Sequence, residues 1–206
     1  MSETSARSMT ERATRRCHDI VDAAAEVFLE RGYAGTSMDA VVERAGGSKE
    51  TLYCHFGSKA GLFKAIVEQR TGDVTANLDL PDVDDVGDFL RQIGIAYLQT
   101  VLSPRGLALY RLVLAESGRM PEMGDLFYRL GPETATGRLA DGLAGRCSRQ
   151  GIPLPRPNRA AALFLGMLRG DLQLRALFNP TRAPVASEIT EHVDFVVEAF
   201  LKAIGT

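Results

Sequence analysis

Between Thr36 and Lys59 the chain reads TSMDAVVERAGGSKETLYCHFGSK, and the glycine pair at its centre constrains the fold more than any other feature. Before the pair, Met38, Val41, Val42 and Ala45 recur at i, i+3, i+4 and i+7, which predicts a short helix with one apolar face. Thr36 and Asp39 stand in capping-box relation at its start. Gly46 and Gly47 end it, because a C-cap or tight turn needs a residue free to turn left-handed, and Ser48 is placed to cap a second helix running to about Phe56. On that second helix Leu52 and Phe56 share one face. Lys49, Glu50, Thr51, Cys54 and His55 point away from it, with Tyr53 at its margin. Gly57 and Ser58 then open a longer helix whose apolar side is Leu62, Phe63, Ile66 and Val67.

Upstream, Ile20, Ala24, Val27 and Phe28 repeat at helical spacing and Gly32 supplies a stop, so a first helix of roughly twenty residues precedes the pair. Three helices and a connector in this order read as a helix-turn-helix unit, whose second short helix enters the major groove of DNA. The segments AAAEVFLERGYAGTSM, the Ala45-Gly46 turn, SKETLYCHF and GSKAGLF together resemble the DNA-binding domain of the tetracycline-repressor (TetR) family of bacterial transcriptional regulators. Two positions depart from the family pattern. Gly47 stands where valine or another apolar residue is usual, and Cys54 where tyrosine, histidine or arginine is common.

Geometry and resemblance together give roles to the motif. Lys49 and Glu50 lie in the first turn of the recognition helix, the end that approaches base edges. There Lys49 can donate to guanine O6 or N7 and Glu50 can accept from cytosine N4, the alternative being a solvated charge pair. Thr36, Ser37, Ser48, Thr51, Tyr53, His55 and Lys59 complete the expected DNA-binding set, mainly as phosphate or sugar contacts at helix ends. Arg44 is either a further phosphate contact or a partner for Asp39 or Glu43. Residues 1–10, rich in Ser and Thr, are expected to form a disordered arm. Arg7, Arg12, Arg15 and Arg16 reach phosphate or the minor groove, or belong to a silent tail.

Charge must act through placement, because the formal net charge is -2 and the first 72 residues hold ten basic and ten acidic side chains. Cys17, Cys54 and Cys147, odd in number and far apart, form no disulfide framework and suit a reducing compartment. No apolar run is long enough to span a membrane and the N-terminus lacks a signal-peptide core, so the expected location is the cytoplasm, with no membrane partner. Cys17-His18 and Cys54-His55 are sequence neighbours that diverge on a helix, and no metal-ligand spacing, nucleophile elbow or phosphate loop is present. Neither an enzyme, a cofactor nor a bound metal is expected.

The predicted fold class is all-α: a helix-turn-helix DNA-binding domain over residues 11–72 joined to a helical ligand-binding and dimerisation domain over 73–206. Prolines punctuate the second part and predict helices near 83–102, 105–118, 121–130, 132–150, 158–179 and 187–204, the third and fourth either separate or one element kinked at Gly131 and Pro132. The stretches LYRLVLAESGRMPEM and NRAAALFLGMLRGDLQLRALF resemble the C-terminal domain of the AefR-like branch of the same family. Residues 160–178 are apolar nearly all round, so that helix needs cover on two sides. A homodimer through the last two helices supplies it, with Ile189, Val193, Val196, Val197, Phe200, Leu201 and Ile204 as the second seam.

Leu90, Ile93, Tyr97, Leu109, Leu112, Val113, Phe127, Leu130, Phe164 and Met167 are candidates to line an apolar effector pocket. Glu116 shares a stripe with Leu109, Leu112 and Val113, and its carboxylate either meets the ligand or pairs with an arginine such as Arg169. The expected partners are thus a palindromic double-stranded DNA operator, a second copy of the chain and a small apolar or amphipathic effector that releases a repressor. The alternative is a redox-responsive regulator in which oxidation of Cys54 disturbs docking.

Overall fold

The computed structural model describes residues 3–76 and 80–205, with side chains placed from Arg15 onward apart from residues 73–79 and 180. Every regular element among the described residues is helical. The order is α1 (Glu3–Gly35), α2 (Met38–Ala45), α3 (Lys49–Phe56), α4 (Lys59–Ala76), α5 (Val86–Val101), α6 (Pro104–Ser117), α7 (Pro121–Tyr128), α8 (Thr134–Arg149), α9 (Pro157–Phe178) and α10 (Ala186–Ile204). None of these helices is long and apolar enough to cross a membrane. The chain divides into two compact units, one containing residues up to Thr71 together with Leu112–Phe127, the other Gly72–Arg111 with Tyr128 onward.

In the first unit α1 presents Ile20, Ala24, Val27 and Phe28 to a core completed by Val41, Leu52, Leu62, Phe63, Ile66 and Val67. Phe28 stacks on Phe63 at 5.5 Å between centroids and Tyr33 closes on the same ring at 5.3 Å, which fixes the end of α1 against α4. Polar ties repeat that attachment: Asp22 Oδ1 accepts from Gln69 Nε2 at 2.8 Å and pairs with Arg70 Nη2 at 3.1 Å. The stop expected at Gly32 is present as a break in α1, with φ +67°. At the other end the backbone of residues 3–10 continues α1 as helix, whereas composition predicts a disordered arm. Glu, Ala, Arg and Met are all good helix formers, and here they extend an established helix rather than nucleate one.

In the second unit α5, α8, α9 and α10 pack around one core. Phe89, Leu90, Ile93 and Leu98 of α5 meet Leu139 and Leu143 of α8, Phe164 and Leu168 of α9, and Val193 and Phe200 of α10. Gly94 lets α5 approach α10 closely, since a Cβ there would lie 2.9 Å from a Val193 methyl.

Two elements differ from the sequence expectation. Residues 121–149 run helically throughout, with a π-helical turn at Arg129–Glu133 absorbing Pro132 in place of a kink or a gap, and Thr134 Oγ1 donating to the Arg129 carbonyl at 2.8 Å. The helix expected over 158–179 is broken at Gly170, whose φ of +35° and ψ of -135° interrupt the hydrogen-bond ladder. His192 of α10 occupies the break, with Nε2 3.0 Å from the Leu168 carbonyl and 3.2 Å from that of Met167.

Of the apolar seam expected on the last helix, Ile189, Val193, Val196, Val197 and Phe200 are buried within the chain itself, where α10 serves α5 and α9, while Leu201 and Ile204 are half-buried. The apolar surface left uncovered on these two helices is instead Leu163, Leu174 and Phe178 of α9 with Phe195 of α10, the last two 83% and 69% exposed. Helical periodicity identifies an apolar face but not which neighbour covers it.

Candidate nucleic-acid interface and effector cavity

The recognition helix hangs on one side chain. Leu52 is buried while Lys49, Glu50, Thr51, Tyr53, Cys54 and His55 are exposed, so nearly the whole of α3 is presented to solvent. Its entry is well made: the Ser48 hydroxyl accepts from the Thr51 amide at 3.1 Å and sits 2.9 Å from the Thr51 hydroxyl. Its exit turns at Gly57, and Ser58 Oγ then accepts from the Gly61 amide at 3.0 Å at the start of α4. Glu50 projects freely from the first turn. Lys49 does not, because its ammonium pairs with Asp39 of α2 at 2.8 Å, which raises the lysine pKa.

The turn between α2 and α3 is held from α1. Gly46 and Gly47 have φ of +68° and +107°, and Arg16 Nη2 donates to the Gly46 carbonyl at 2.8 Å. A Cβ on Gly47 would stand 3.1 Å from that same nitrogen. Gly47, a departure from the family pattern the motif resembles, thus allows both the left-handed backbone and the arginine beside it. Arg16 is engaged in positioning the motif, while Arg7 and Arg12 have side chains outside the described residues.

Thr36 and Lys59 are placed differently from the remaining DNA-facing candidates. Thr36 is only 4% exposed and its hydroxyl donates to the Gly32 carbonyl at 2.8 Å. It plugs the break in α1, with its hydroxyl turned into the protein. The capping role falls one residue later, to Ser37, whose Oγ accepts from the Ala40 amide at 3.1 Å. Lys59 lies 4.5 Å over the Tyr33 ring and 3.4 Å from the Ala34 carbonyl, a cation–π seat that anchors the start of α4. Arg44 takes neither expected partner. It bridges to Glu30 at 2.8 Å and Glu26 at 3.2 Å, joining α2 to α1 and holding the Glu30 carboxyl below the usual carboxylate range through its hydrogen bond. With Asp22 paired to Arg70, three acids of α1 are thereby occupied inside the unit, and Ser37, Thr51, Tyr53 and His55 remain exposed beside Glu50.

The expected pocket residues fall into two groups. Leu112, Val113, Glu116 and Phe127 belong to the first unit, whereas Leu90, Ile93, Tyr97, Leu109, Leu130, Phe164 and Met167 belong to the second. Glu116 is buried in the unit that contains Tyr33. Burial first, and then the Glu116 and Glu122 charges, push the Tyr33 hydroxyl pKa up. Arg169, the partner expected for Glu116, donates from Nε to the Leu165 carbonyl of its own helix at 3.3 Å.

In the second unit a cavity of about 10 Å³ is lined by Leu80, Ile93, Tyr97, Ala135, Arg138, Leu139 and Leu165. Only Ile93 and Tyr97 were legible as lining; Leu90 and Phe164 are fully buried core. The spacing of Ala135, Arg138 and Leu139 at i, i+3 and i+4 marks one face of α8 and is the signal that would have found that wall. Burial pushes the Tyr97 hydroxyl pKa up, with the Arg169 charge opposing. All three cysteines are free thiols, Cys54 exposed on α3, Cys17 half-buried on α1 and Cys147 buried in the second unit, where burial pushes its thiol pKa up.

Residues 20–66 match the description "Bacterial regulatory proteins, tetR family", and residues 88–206 match the "AefR-like transcriptional repressor, C-terminal domain". The chain belongs to the TetR family of transcriptional regulators. A solved TetR-family regulator from Mesorhizobium loti MAFF303099 is 29% identical with a TM-score of 0.85, over 93% of this chain and 98% of that one. The flavonoid-responsive regulator FrrA is 32% identical with a TM-score of 0.77, over 92% and 97%. Among curated relatives, the transcriptional activator FasR of Mycolicibacterium smegmatis is 41% identical over 56 residues, 27% of this chain and 26% of FasR. The A-factor receptor protein of Streptomyces griseus is 31% identical over 98 residues, 48% of this chain and 36% of the receptor. The chain therefore spans about a quarter to a third of the length of these two curated relatives, whereas the two solved structures align over nearly their whole length.

Proposed function

We infer that this TetR-family chain is an effector-released repressor that reads a palindromic operator as a homodimer. The observation that carries the reading is α3 itself, an eight-residue helix held by the single buried Leu52 with all its other side chains but Phe56 exposed. Such a helix is built for contact with a surface outside the protein. Glu50, and Lys49 once it leaves Asp39, stand at the end that meets base edges, while Ser37, Thr51, Tyr53 and His55 serve the backbone. One short helix buries too little to be specific, and two set about 34–36 Å apart read a two-fold site. The uncovered Leu163, Leu174, Phe178 and Phe195 give α9 and α10 the apolar patch through which a second copy adds.

The effector belongs in the second unit, at the cavity between α5, α8 and α9. Its walls are apolar with one phenol and one guanidinium, which suits a planar apolar body carrying a phenolic or acidic oxygen. The resemblance to FrrA, described as flavonoid-responsive, supports that class. Binding that favours a state with the recognition helices displaced weakens the operator complex by a coupling of about 1–3 kcal/mol, a five- to 150-fold change.

Selection of genomic DNA fragments by the purified protein, followed by titration with a panel of flavonoids, tests the reading. Enriched fragments with an inverted repeat, bound by a dimer and released by a panel member, are the expected result. Failure to enrich any fragment overturns DNA reading, and enrichment without release by any panel member overturns the effector class.

A further inference from the structure

We propose that Leu80 is the stopper of the effector cavity, and that an effector enters by expelling it and so draws the Leu80–Asp85 segment out of the grip of Arg146. The inference rests on the reading of the chain as an effector-released regulator. A cavity of about 10 Å³ holds roughly one water, whereas small-molecule sites are on the order of 300–1,000 Å³, so a wall must move before any effector is held.

The walls are unequal in their freedom to move. Ile93 and Tyr97 on α5, Ala135 and Leu139 on α8, and Leu165 on α9 are buried members of one close-packed core, and shifting any of them disturbs the rest. Leu80 alone among the lining residues lies outside a helix, and it is 38% exposed. Its side chain rests against α8 at Gly142, where an added Cβ would come within 3.2 Å of the Leu80 Cδ1. Arg138, half-buried, completes the lining from α8, so expelling Leu80 opens the site without moving a helix.

The segment that carries Leu80 is gripped by α8. Arg146 donates from Nη2 to the Pro81 carbonyl at 2.6 Å, from Nε to the Val83 carbonyl at 2.7 Å and from Nη1 to the Gly142 carbonyl at 3.0 Å. Its guanidinium lies 3.8 Å over the Phe89 ring. One helical turn further on, Gln150 Nε2 donates to the Asp84 carbonyl at 2.7 Å and Arg149 pairs with the Asp84 carboxylate at 3.3 Å. Because Leu80 precedes Pro81 directly, its seat in the cavity and the first bond of the grip are coupled through one peptide. The same segment follows α4 in the chain, so an effector that removes Leu80 acts on the linker of the DNA-binding unit without touching that unit.

A ligand-free double-mutant cycle on the full-length dimer, read against a DNA fragment the wild type selects, tests the proposal. Ala135→Phe fills the cavity from α8 and mimics an effector, so operator affinity is expected to fall by about tenfold. Adding Leu80→Ala gives the ring the vacated space, and affinity is expected to return to within about twofold of wild type, a coupling visible only if the two side chains compete for one volume. If Ala135→Phe does not fold, Ala135→Leu replaces it in the same cycle. A filled variant that keeps full operator affinity, or one that Leu80→Ala does not restore, overturns the stopper. Leu80→Ala alone gives an independent readout: it is expected to bind the amphipathic dye 1-anilinonaphthalene-8-sulfonate about tenfold tighter than wild type, because the truncation opens the cavity mouth. Unchanged dye affinity overturns the proposal while leaving operator binding, and hence the regulator reading, intact.

Discussion

Lys49 Nζ lies 2.8 Å from Asp39 Oδ1 and donates to Oδ2 at 3.0 Å, a pair that ties the first turn of α3 to the first turn of α2 across the glycine turn. The residue placed to read a base is thus committed to the protein in the absence of DNA. Both partners are more than half exposed, so the pair contributes little to stability, and its consequence lies in what binding must exchange.

Asp39→Ala releases Lys49 and removes a negative charge beside the DNA face. Operator affinity is expected to rise by about three- to tenfold at roughly 50 mM salt, with the gain shrinking at roughly 200 mM as screening increases. Lys49→Met is expected to relax preference at one base position, a loss of about 1–3 kcal/mol of discrimination. Fluorescence-anisotropy titrations of the selected fragment and its single-base variants measure both. A uniform loss across all variants would make Lys49 a phosphate contact.

Thr36→Val keeps the shape of a buried side chain and removes the hydroxyl bonded to the Gly32 carbonyl. Thermal unfolding is expected to show a loss of about 1 kcal/mol, since a part-buried acceptor at the break in α1 is left without its donor. Operator affinity, measured well below the unfolding transition, is expected to stay within about twofold of wild type, which separates this inward role from a phosphate contact. A loss of affinity about equal across all base variants would return Thr36 to the DNA face.

What the sequence made legible was local. The helices around Gly46, the caps at Ser48 and Ser58 and the stop at Gly32 follow from short-range chemistry, and the structure has them there. Partners were not legible, because a charge on one helix selects among several equally spaced opposites only once the helices pack. Arg44 found Glu30 and Glu26, fourteen and eighteen positions upstream, in place of Asp39 or Glu43 nearby. The direction of an apolar face was equally hidden: Val193 and Phe200 turned inward while Phe195, on the same helix, stayed exposed. Arg146 carries no sequence signal, since its hydrogen-bond partners are backbone carbonyls, which every residue supplies.

Gly47→Val restores a residue type usual in the family and is nevertheless expected to destabilise this chain. A β-branched residue at a φ of +107° costs about 1–3 kcal/mol, and its Cβ would press on Arg16 Nη2, 3.1 Å away. Arg16→Ala is expected to be milder, about 1 kcal/mol for one exposed hydrogen bond, and to make Gly47→Val less harmful in the double variant. Chemical denaturation of the four proteins gives the cycle, and strict additivity would show that Arg16 does not sense the turn.

Tyr97→Phe tests the cavity wall through pH. Burial holds the Tyr97 hydroxyl above its ordinary value of 10.0 in the folded state, with the Arg169 charge opposing and Tyr110 adding to the rise. The unfolded chain therefore ionises this phenol first. The stability it contributes is fully present below pH 10 and is lost as pH climbs through the raised folded value. Near neutrality the substitution is expected to change stability by no more than about 1 kcal/mol, because it removes one oxygen and keeps the ring in the core. Above pH 10 the wild type is expected to lose stability more steeply than Tyr97→Phe, the residual slope of the variant coming in part from Tyr33, whose hydroxyl is also raised. Urea unfolding at pH 8, 10 and 11 measures the difference. Parallel curves for the two proteins would mean that Tyr97 titrates as it does in the unfolded chain, and that its hydroxyl faces water at the cavity mouth.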